Sequence, residues 1–417
     1  MQEELELCSL DMLSYKHGLS SDALPNTITK LKLNTTISPG LLPPSITKLH
    51  LEHNQRITPG VLPPSLLTLK LVGKFNSLID PGTLPASLTT LTLGHSFNQT
   101  IEGIFMNIQL KHLKLGDAFN QPITTSTFPR SLIALSLEGE KFKQVLPRGS
   151  LPPLLKHLSF GSGIDGNSLM LKSTFANIGS LQHSLRSFTI GYSKFAPLPM
   201  GFIPPTLTKL TLLGKFPLKS LKGTIPLTLL SLDIDCVYDS TGDIPRGTFP
   251  PSLTELMLPR GGTITVHDTW PVGLRKLSIP SLSFIRQIEH LTHLDYVLVD
   301  EEIMIRGPAI LAQPSKLRCR QLKLKVTSTI DDDDCFGMDL PHFIGRSLTT
   351  FPRARTLEVE YGDISIPCLR RIASKGVLFD GNFFHRDMFG FMRLADKHFV
   401  PEPNWRSNDA YGYDDDY

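Results

Sequence analysis

The chain has 417 residues, a formal net charge of +3 and 40% hydrophobic residues. So small a net charge supplies no bulk field that would attract nucleic acid, and no apolar run is long enough to cross a membrane. The five cysteines are scattered without a C-x-x-C spacing, which speaks against a disulfide framework or a zinc site. We therefore expect a reduced, cytoplasmic protein with no cofactor, no metal, no nucleic-acid partner and no membrane association.

Residues 1–23 precede the first repeat of the chain. They begin with MQEELELCSLDML, an acidic stretch that lacks the pattern of a signal peptide. A solenoid has to cover the open core face of its first turn, so we expect these residues to form an N-terminal cap.

An apolar pair of the form L-x-L recurs twelve times between residues 24 and 279. Successive pairs are 18 to 24 residues apart, except for one step of 30 that we attribute to an insertion at about 163–180. Such a period predicts a solenoid of about twelve turns, in which each turn buries its pair against its neighbours. The first members of the pairs are Leu31, Leu49, Leu69, Leu91, Leu113, Leu135, Leu158, Phe188, Leu210, Leu232, Leu256 and Leu277.

Each pair ends a longer motif, as in LPPSITKLHL (42–51), LPASLTTLTL (84–93) and FPPSLTELML (249–258). The alternation over its last five positions predicts a short strand with one buried face. Proline stands just before the strand, where its missing N–H does least harm. The segments between motifs are rich in Pro, Gly and Thr and show no helical period. The predicted fold is therefore a leucine-rich-repeat-like solenoid that is mostly β, with a parallel sheet on one face and an irregular return side.

The dipeptide Phe-Asn also recurs, at Phe75–Asn76, Phe97–Asn98 and Phe119–Asn120. Each of these phenylalanines lies six residues after the first leucine of a pair, so the rings are expected to cap the leucine column. An asparagine at a corner can bond neighbouring backbone groups. We predict that these six residues are structural and that the asparagines share hydrogen bonds from turn to turn.

These residues carry a resemblance to a known family. The string F-N-x-x-I/L…G-x-L-P-x-S-L-x-x-L-x-L-G-x-x-F-N resembles the FNIP repeat, a short leucine-rich-repeat-like unit typical of social amoebae and of large viruses that infect amoebae. The match is very close over 69–123 and looser over the rest of 24–279; in FPLKSLKGTIP (216–226) the asparagine is replaced by Pro217. The resemblance implies a solenoid with a protein-binding role and supplies no catalytic residues.

After residue 280 the period weakens, and we interpret 280–375 as degenerate repeats that include an acidic loop at 327–340. Residues 376–399 are dense in Phe and Met and are predicted to cap the last open core face. A partner-docking patch is the alternative for that segment. Residues 400–417 end in YGYDDDY and are predicted to be a disordered acidic tail.

The residues that flank the first leucine of each pair should point outward together and line one face of the sheet. In the first five turns they include five Lys, two His and no acidic residue. We call this set the basic strip, and it predicts a docking surface for a protein partner with an acidic segment. The alternative is an ordinary solvated face. The strip consists of Lys30, Lys32, Lys48, His50, Lys70, His112 and Lys114.

No G-x-S-x-G, P-loop or H-E-x-x-H motif occurs, and Asp331–Asp334 lack the spaced D-x-D-x-D-G ligands of a calcium loop. The sequence therefore favours a non-catalytic repeat scaffold that binds another protein along the strand face. A second hypothesis is a substrate adaptor that recruits targets to a ubiquitin ligase or a kinase.

Overall fold

The structure is a computed structural model. It describes residues 24–161, 181, 183–192, 198, 200–214, 216–235, 242–259, 264–303, 315–328, 354–361, 364–373, 376–383, 386–393 and 398–401. The chain divides into two compact units. Unit 1 comprises Met1–Leu253 and Thr263–Pro271, and unit 2 comprises Thr254–Gly262 and Val272–Tyr417.

The described residues of unit 1 include ten short strands that pair with one another in chain order, all in parallel. A 3-10 turn at Leu218–Leu221 and a second small parallel pair, β11 (Gly242–Ile244) with β13 (Ile264–Val266), lie outside this ladder. The ten strands are β1 (Lys30–Leu33), β2 (Lys48–Leu51), β3 (Thr68–Leu71), β4 (Thr90–Leu93), β5 (His112–Leu115), β6 (Ala134–Leu137), β7 (His157–Phe160), β8 (Ser187–Tyr192), β9 (Lys209–Gly214) and β10 (Ser231–Asp235).

Unit 2 contains a parallel ladder followed by antiparallel strands. The parallel strands are β12 (Glu255–Met257), β14 (Lys276–Ile279), β15 (Leu294–Ile303), β16 (Cys319–Ser328) and β17 (Ala354–Tyr361). A 3-10 turn (Leu282–Phe284) runs into helix α1 (Ile285–Ile288) between β14 and β15. The antiparallel strands are β18 (Ile364–Ala373), β19 (Gly376–Phe383), β20 (Arg386–Arg393) and β21 (His398–Pro401).

The leucines of successive turns lie side by side in the sheet. Leu69 pairs with Leu91, and Leu91 pairs with Leu113, so these residues occupy adjacent rungs. Their exposed fractions are 0 to 2%, and each such burial contributes roughly 1.5–3 kcal/mol. The first residue of every one of the twelve predicted pairs lies in a strand. The prediction of a leucine-rich-repeat-like parallel solenoid with an irregular return side is confirmed.

Within one repeat of the solenoid, two β-turns precede the strand. In the first, Gly82 has φ +80°, and Thr83 donates its N–H to Asp80 O at 3.2 Å, as in a type II turn that needs glycine at its third position. In the second, Ser87 of the LPAS motif donates its hydroxyl to the carbonyl oxygen of Leu66 on the preceding turn at 2.7 Å. The hydroxyl residue of the motif therefore links neighbouring turns.

Phenylalanine rings form a buried column along unit 1. The ring centroids of Phe75 and Phe97 lie 5.9 Å apart, those of Phe97 and Phe119 lie 6.3 Å apart, and those of Phe119 and Phe142 lie 6.1 Å apart. Successive planes are inclined by 12° or less, and all four rings are at most 2% exposed. Stacked pairs of this kind add about 0.5–1.5 kcal/mol beyond the area that they bury.

An asparagine ladder runs beside that column. The side-chain oxygen of each asparagine accepts the backbone N–H of the equivalent residue on the next turn. The ladder starts at Asn54, one turn before the first Phe-Asn dipeptide, and ends where Asn120 accepts the N–H of Lys143 at 2.9 Å. Each turn thus supplies a side-chain acceptor for a backbone donor of its neighbour.

Several predicted segments lie wholly or largely outside the described residues: the N-terminal cap 1–23, the insertion at 163–180, the acidic loop 327–340 after Ser328, and the tail 400–417 after Pro401. Within 280–375 and 376–399 the structure describes the backbone of β15–β21 in part. The boundaries of these two segments remain predictions.

Candidate functional site

The outward-facing residues of β1–β10 form two continuous columns, which we call the strand face. The first column holds the residue before the first leucine of each pair, and the second column holds the residue between the two leucines. Lys30 stands beside Lys48 in the first column. Lys32, His50 and Lys70 follow one another in the second column. The strand register, which alternating burial fixes, brings these members of the basic strip together.

Two carboxylates neutralise part of the basic strip. Lys32 Nζ lies 3.2 Å and His50 Nε2 lies 3.4 Å from Glu52 Oε1, and Lys114 Nζ pairs with Glu138. Both acids occupy the position directly after the second leucine, which also faces outward. Sequence reasoning missed them because only two outward positions per turn were counted. Reading the third position along the repeats would have found both.

Burial alone would raise the pKa of Glu138, but Lys114 and the hydroxyls of Ser136 and Ser159 lower it by more, so the net shift is downward. The Glu138 carboxylate therefore stays charged next to Lys114. At Lys114 the strand face therefore carries an ion pair with no net charge instead of an unpaired positive charge.

The remaining lysines of the strip keep their charge uncompensated. Among the described residues, no carboxylate lies within ion-pair distance of the Nζ atoms of Lys30, Lys48 or Lys70, and all three lysines are exposed. They lie on three consecutive strands, β1 to β3. The first three turns thus present the unpaired positive part of the strand face.

A shallow depression follows on β4–β8. His112, Ala134 and His157 stand side by side in the first column, and the short side chain of Ala134 leaves space between the two imidazoles. Lys114 and leucines of the strands also line it, and the other lining residues carry hydroxyls: Thr90, Thr92, Ser136, Ser159, Ser187 and Thr189. Burial, and to a smaller extent the charges of His112 and Lys156, lower the pKa of His157.

Phe75, Phe97 and Phe119 lie in the interior and Asn76, Asn98 and Asn120 lie in the ladder beside them, so these six residues are away from the strand face. No three His, Cys, Asp or Glu side chains of the described chain lie close enough together to hold a metal ion. Over the same residues, no helix is long and apolar enough to cross a membrane.

Comparisons with known proteins agree with this geometry. The model of the FNIP repeat matches three consecutive segments, residues 34–74, 75–118 and 119–163. The second and third segments start at Phe75 and Phe119, the first residues of two Phe-Asn dipeptides. No curated protein matches the chain.

Two solved structures are similar to the chain. CroV588, described as a novel circular LRR protein, is 23% identical with a TM-score of 0.48, and the alignment covers 82% of this chain and 48% of that chain. YopM from Yersinia enterocolitica WA-314 is 16% identical with a TM-score of 0.32, and the alignment covers 72% of this chain and 64% of that chain. The chain therefore spans about half the length of the CroV588 chain and under two thirds of the YopM chain. Residues 34–163 thus match the FNIP repeat in three consecutive segments, and over these residues the resemblance predicted from the sequence is confirmed.

Proposed function

We propose that this protein is a non-catalytic scaffold that binds an acidic segment of another protein along the strand face of unit 1. The observation that carries the proposal is the group of exposed, uncompensated lysines on adjacent strands, Lys30, Lys48 and Lys70. Like charges on neighbouring strands destabilise a sheet slightly. Carboxylates of a partner would offset that repulsion, which gives an acidic segment a physical reason to dock there.

The depression at Ala134 supports the same proposal. An extended segment that contacts the lysines of β1–β3 and continues across the sheet would next meet the hydroxyls of Thr90 and Thr92 on β4. Hydroxyls can both donate and accept hydrogen bonds, so they suit the main chain of a peptide. The lysines would supply charge attraction, and the hydroxyl-lined depression would supply contacts that do not depend on the peptide's side chains.

The substrate-adaptor hypothesis would use the same surface, with the ligase or kinase held elsewhere. No feature of the described residues favours it over a simple scaffold. The FNIP repeats and the LRR-like fold are typical of proteins without catalytic activity, and on that ground we propose no reaction.

The test uses the full chain and two triple variants of equal charge change. K30E/K48E/K70E reverses the uncompensated lysines of the strand face. K74E/K141E/K143E reverses three exposed lysines that follow strands and lie off that face. The probe is a fluorescent octaglutamate peptide, measured by anisotropy at low and physiological salt, and purification of partners from cell extract runs in parallel.

We expect the first triple variant to lose most of the peptide binding and the second to retain most of it. Exposed charge pairs are screened by salt, so binding should weaken as salt rises. Equal binding by the two variants, or no peptide binding to the wild-type chain at low salt, would overturn the proposed docking surface.

A further inference from the structure

A second concave surface lies in unit 2, where β14, β15 and β16 begin. Three arginines line it, Arg275, Arg318 and Arg320, together with Thr292 and Asp295. We call this surface the arginine depression. All three arginines are exposed, so their guanidinium groups are open to a ligand from solvent.

Strand pairing explains why these residues meet. Leu294 pairs with Cys319 and Tyr296 pairs with Gln321, so Asp295 stands opposite Arg320. On its other side, Asp295 donates its backbone N–H to Arg275 O at 2.8 Å. The order across the three strands is therefore Arg275, Asp295, Arg320.

Arg318 joins this row from the residue before β16. It lies two positions from Arg320, and the buried Cys319 stands between them. Alternation along an extended chain puts residues two apart on the same side. Both guanidinium groups therefore face the depression, as its lining shows.

The depression carries a surplus of positive charge. Among the described residues, the Asp295 carboxylate makes no ion pair with any of the three arginines, so one negative charge faces three positive ones. Burial raises the pKa of Cys319 to about 12, so its thiol is neutral and adds no negative charge. Arg275 Nη1 donates to His293 O at 3.0 Å, which restrains that side chain at the rim.

We propose that the arginine depression binds a phosphate group, either free or as a monoester. Guanidinium groups donate paired, parallel hydrogen bonds that fit phosphate oxygens, and several of them can share one dianion. The hydroxyl of Thr292 is a further donor at the same place. The proposal is independent of the strand-face proposal because every residue involved belongs to unit 2.

The phosphate can come from a phosphorylated protein segment or from a free small molecule. Isothermal titration calorimetry on the full chain at physiological salt separates these sources with three probes: inorganic phosphate, the peptide Ala-Gly-phosphoserine-Gly-Ala, and the same peptide without the phosphate. The test variant is R318Q/R320Q. The matched control is R286Q, which removes an exposed arginine of unit 2 that pairs with Glu289 outside the depression.

We expect the two phosphate-bearing probes to bind and the unphosphorylated peptide to fail. Hydrogen bonds between charged groups are the strong ones, so R318Q/R320Q should weaken binding by at least about tenfold, whereas R286Q should leave it unchanged. D295N should tighten binding, because it removes the one negative charge of the depression. A circular dichroism spectrum and a thermal unfolding curve establish that each variant is folded.

The outcomes distinguish the alternatives. Tighter binding of the phosphopeptide than of inorganic phosphate assigns the site to a phosphorylated chain, and binding of inorganic phosphate alone assigns it to a free phosphate. No binding of either phosphate probe to the wild-type chain would overturn the proposal, as would equal affinities of the wild-type and R318Q/R320Q chains.

Discussion

Asn98 joins two turns of the solenoid through one atom: its Oδ1 accepts the backbone N–H of Asn120 at 2.9 Å. The same oxygen accepts the side-chain amide of Gln121 at 3.0 Å. One turn earlier, Asn98 donates its own backbone N–H to Asn76 Oδ1 at 2.8 Å. The side chain of Asn98 therefore accepts hydrogen bonds from the following turn, and its backbone N–H donates one to the preceding turn.

This relationship predicts the effect of removing the acceptor. Asn98→Ala leaves the half-buried N–H of Asn120 without this acceptor, and a typical intramolecular hydrogen bond contributes about 0.5–1.5 kcal/mol. Asn98→Asp keeps an oxygen at the same position and should cost less. Urea unfolding of the two variants measures the difference, and hydrogen exchange at the Asn120 amide reports it locally. Equal losses for the two substitutions would show that the acceptor is not what matters.

The phenylalanine column predicts a local pattern of damage. Phe97 has an exposed fraction of 0% and stacks on both Phe75 and Phe119. Phe97→Ala should cost about 3–5 kcal/mol, as for a deleted core ring. Because turns of a solenoid couple chiefly to their neighbours, amides of β3–β5 should lose more hydrogen-exchange protection than those of β9 and β10.

Leu232→Ala is the matched comparison for that experiment. Leu232 lies in β10 and is also 0% exposed, so its loss should loosen β9 and β10 and spare β4. A uniform loss of protection over all ten strands in either variant would contradict nearest-neighbour coupling.

The backbones of neighbouring turns pack closely at the strand ends, which predicts that some glycines there cannot be replaced without loss of stability. A Cβ added to Gly116 would lie 2.4 Å from the carbonyl oxygen of Gly94 on the preceding turn. Gly116→Ala should therefore destabilise unit 1 by about 1–3 kcal/mol, since the turns must separate to accept it. At Gly82 no atom lies within 4 Å of an added Cβ, although φ is +80°. Gly82→Asn should cost less, because asparagine tolerates that conformation. Thermal unfolding distinguishes the two, and a melting temperature of the Gly116 variant equal to that of wild type would rule the clash out.

The sequence predicted this fold well because each turn repeats the same physical solution. Leu69, Leu91 and Leu113 alternate with outward residues at nearly constant spacing, so their register could be read directly from the chain. Asn54 was missed because its turn is shorter and places His53 where the later turns have phenylalanine. Its role became visible only when the structure showed its oxygen accepting the N–H of Asn76 at 2.9 Å.

The charged sites were harder to predict, for two different reasons. Glu52 and Glu138 each follow the strand next to the one that carries their lysine partner, at an outward position that was not counted. The arginine depression could not be predicted from the sequence. Leu277, Val297 and Leu322 are register partners separated by 20 and 25 residues, and this irregular spacing hides the alignment of Arg275 with Arg320.

Acid should weaken unit 1 partly through Glu102. The hydroxyls of Thr127 and Ser126 donate to its carboxylate and lower its pKa below the ordinary value of 4.5, although burial opposes the shift. Because the folded pKa is the lower one, this stabilisation is complete above about pH 4.5 and is lost as the pH falls through the folded pKa. Glu102→Gln should reduce the drop in melting temperature between pH 7 and pH 3. Parallel curves for wild type and variant would mean that Glu102 contributes nothing to the acid response.

Asp268 is the buried carboxylate on which the last prediction rests. It is 9% exposed and accepts the backbone N–H groups of Gly247, Thr248 and Phe249 at 2.6 to 2.7 Å. These donors are the last two residues before the FPPSLTELML motif and the first residue of that motif. One carboxylate thus accepts three consecutive N–H groups, of which those of Thr248 and Phe249 are buried and would otherwise lack a partner.

Asp268→Asn keeps the shape of the side chain but replaces one of the two accepting oxygens by an NH2 group, which would face backbone N–H groups as a second donor. Hydrogen bonds to charged groups contribute about 1.5–3 kcal/mol each, so we expect a loss of at least that size in urea unfolding. Asp243→Asn is the control, because Asp243 is a half-exposed acid of unit 1 whose pairs with Lys219 and His267 are 3.7 Å and 3.5 Å long. Exposed pairs contribute about 0–1 kcal/mol. If the two variants unfold at the same urea concentration, the backbone cluster around Asp268 does not stabilise the fold.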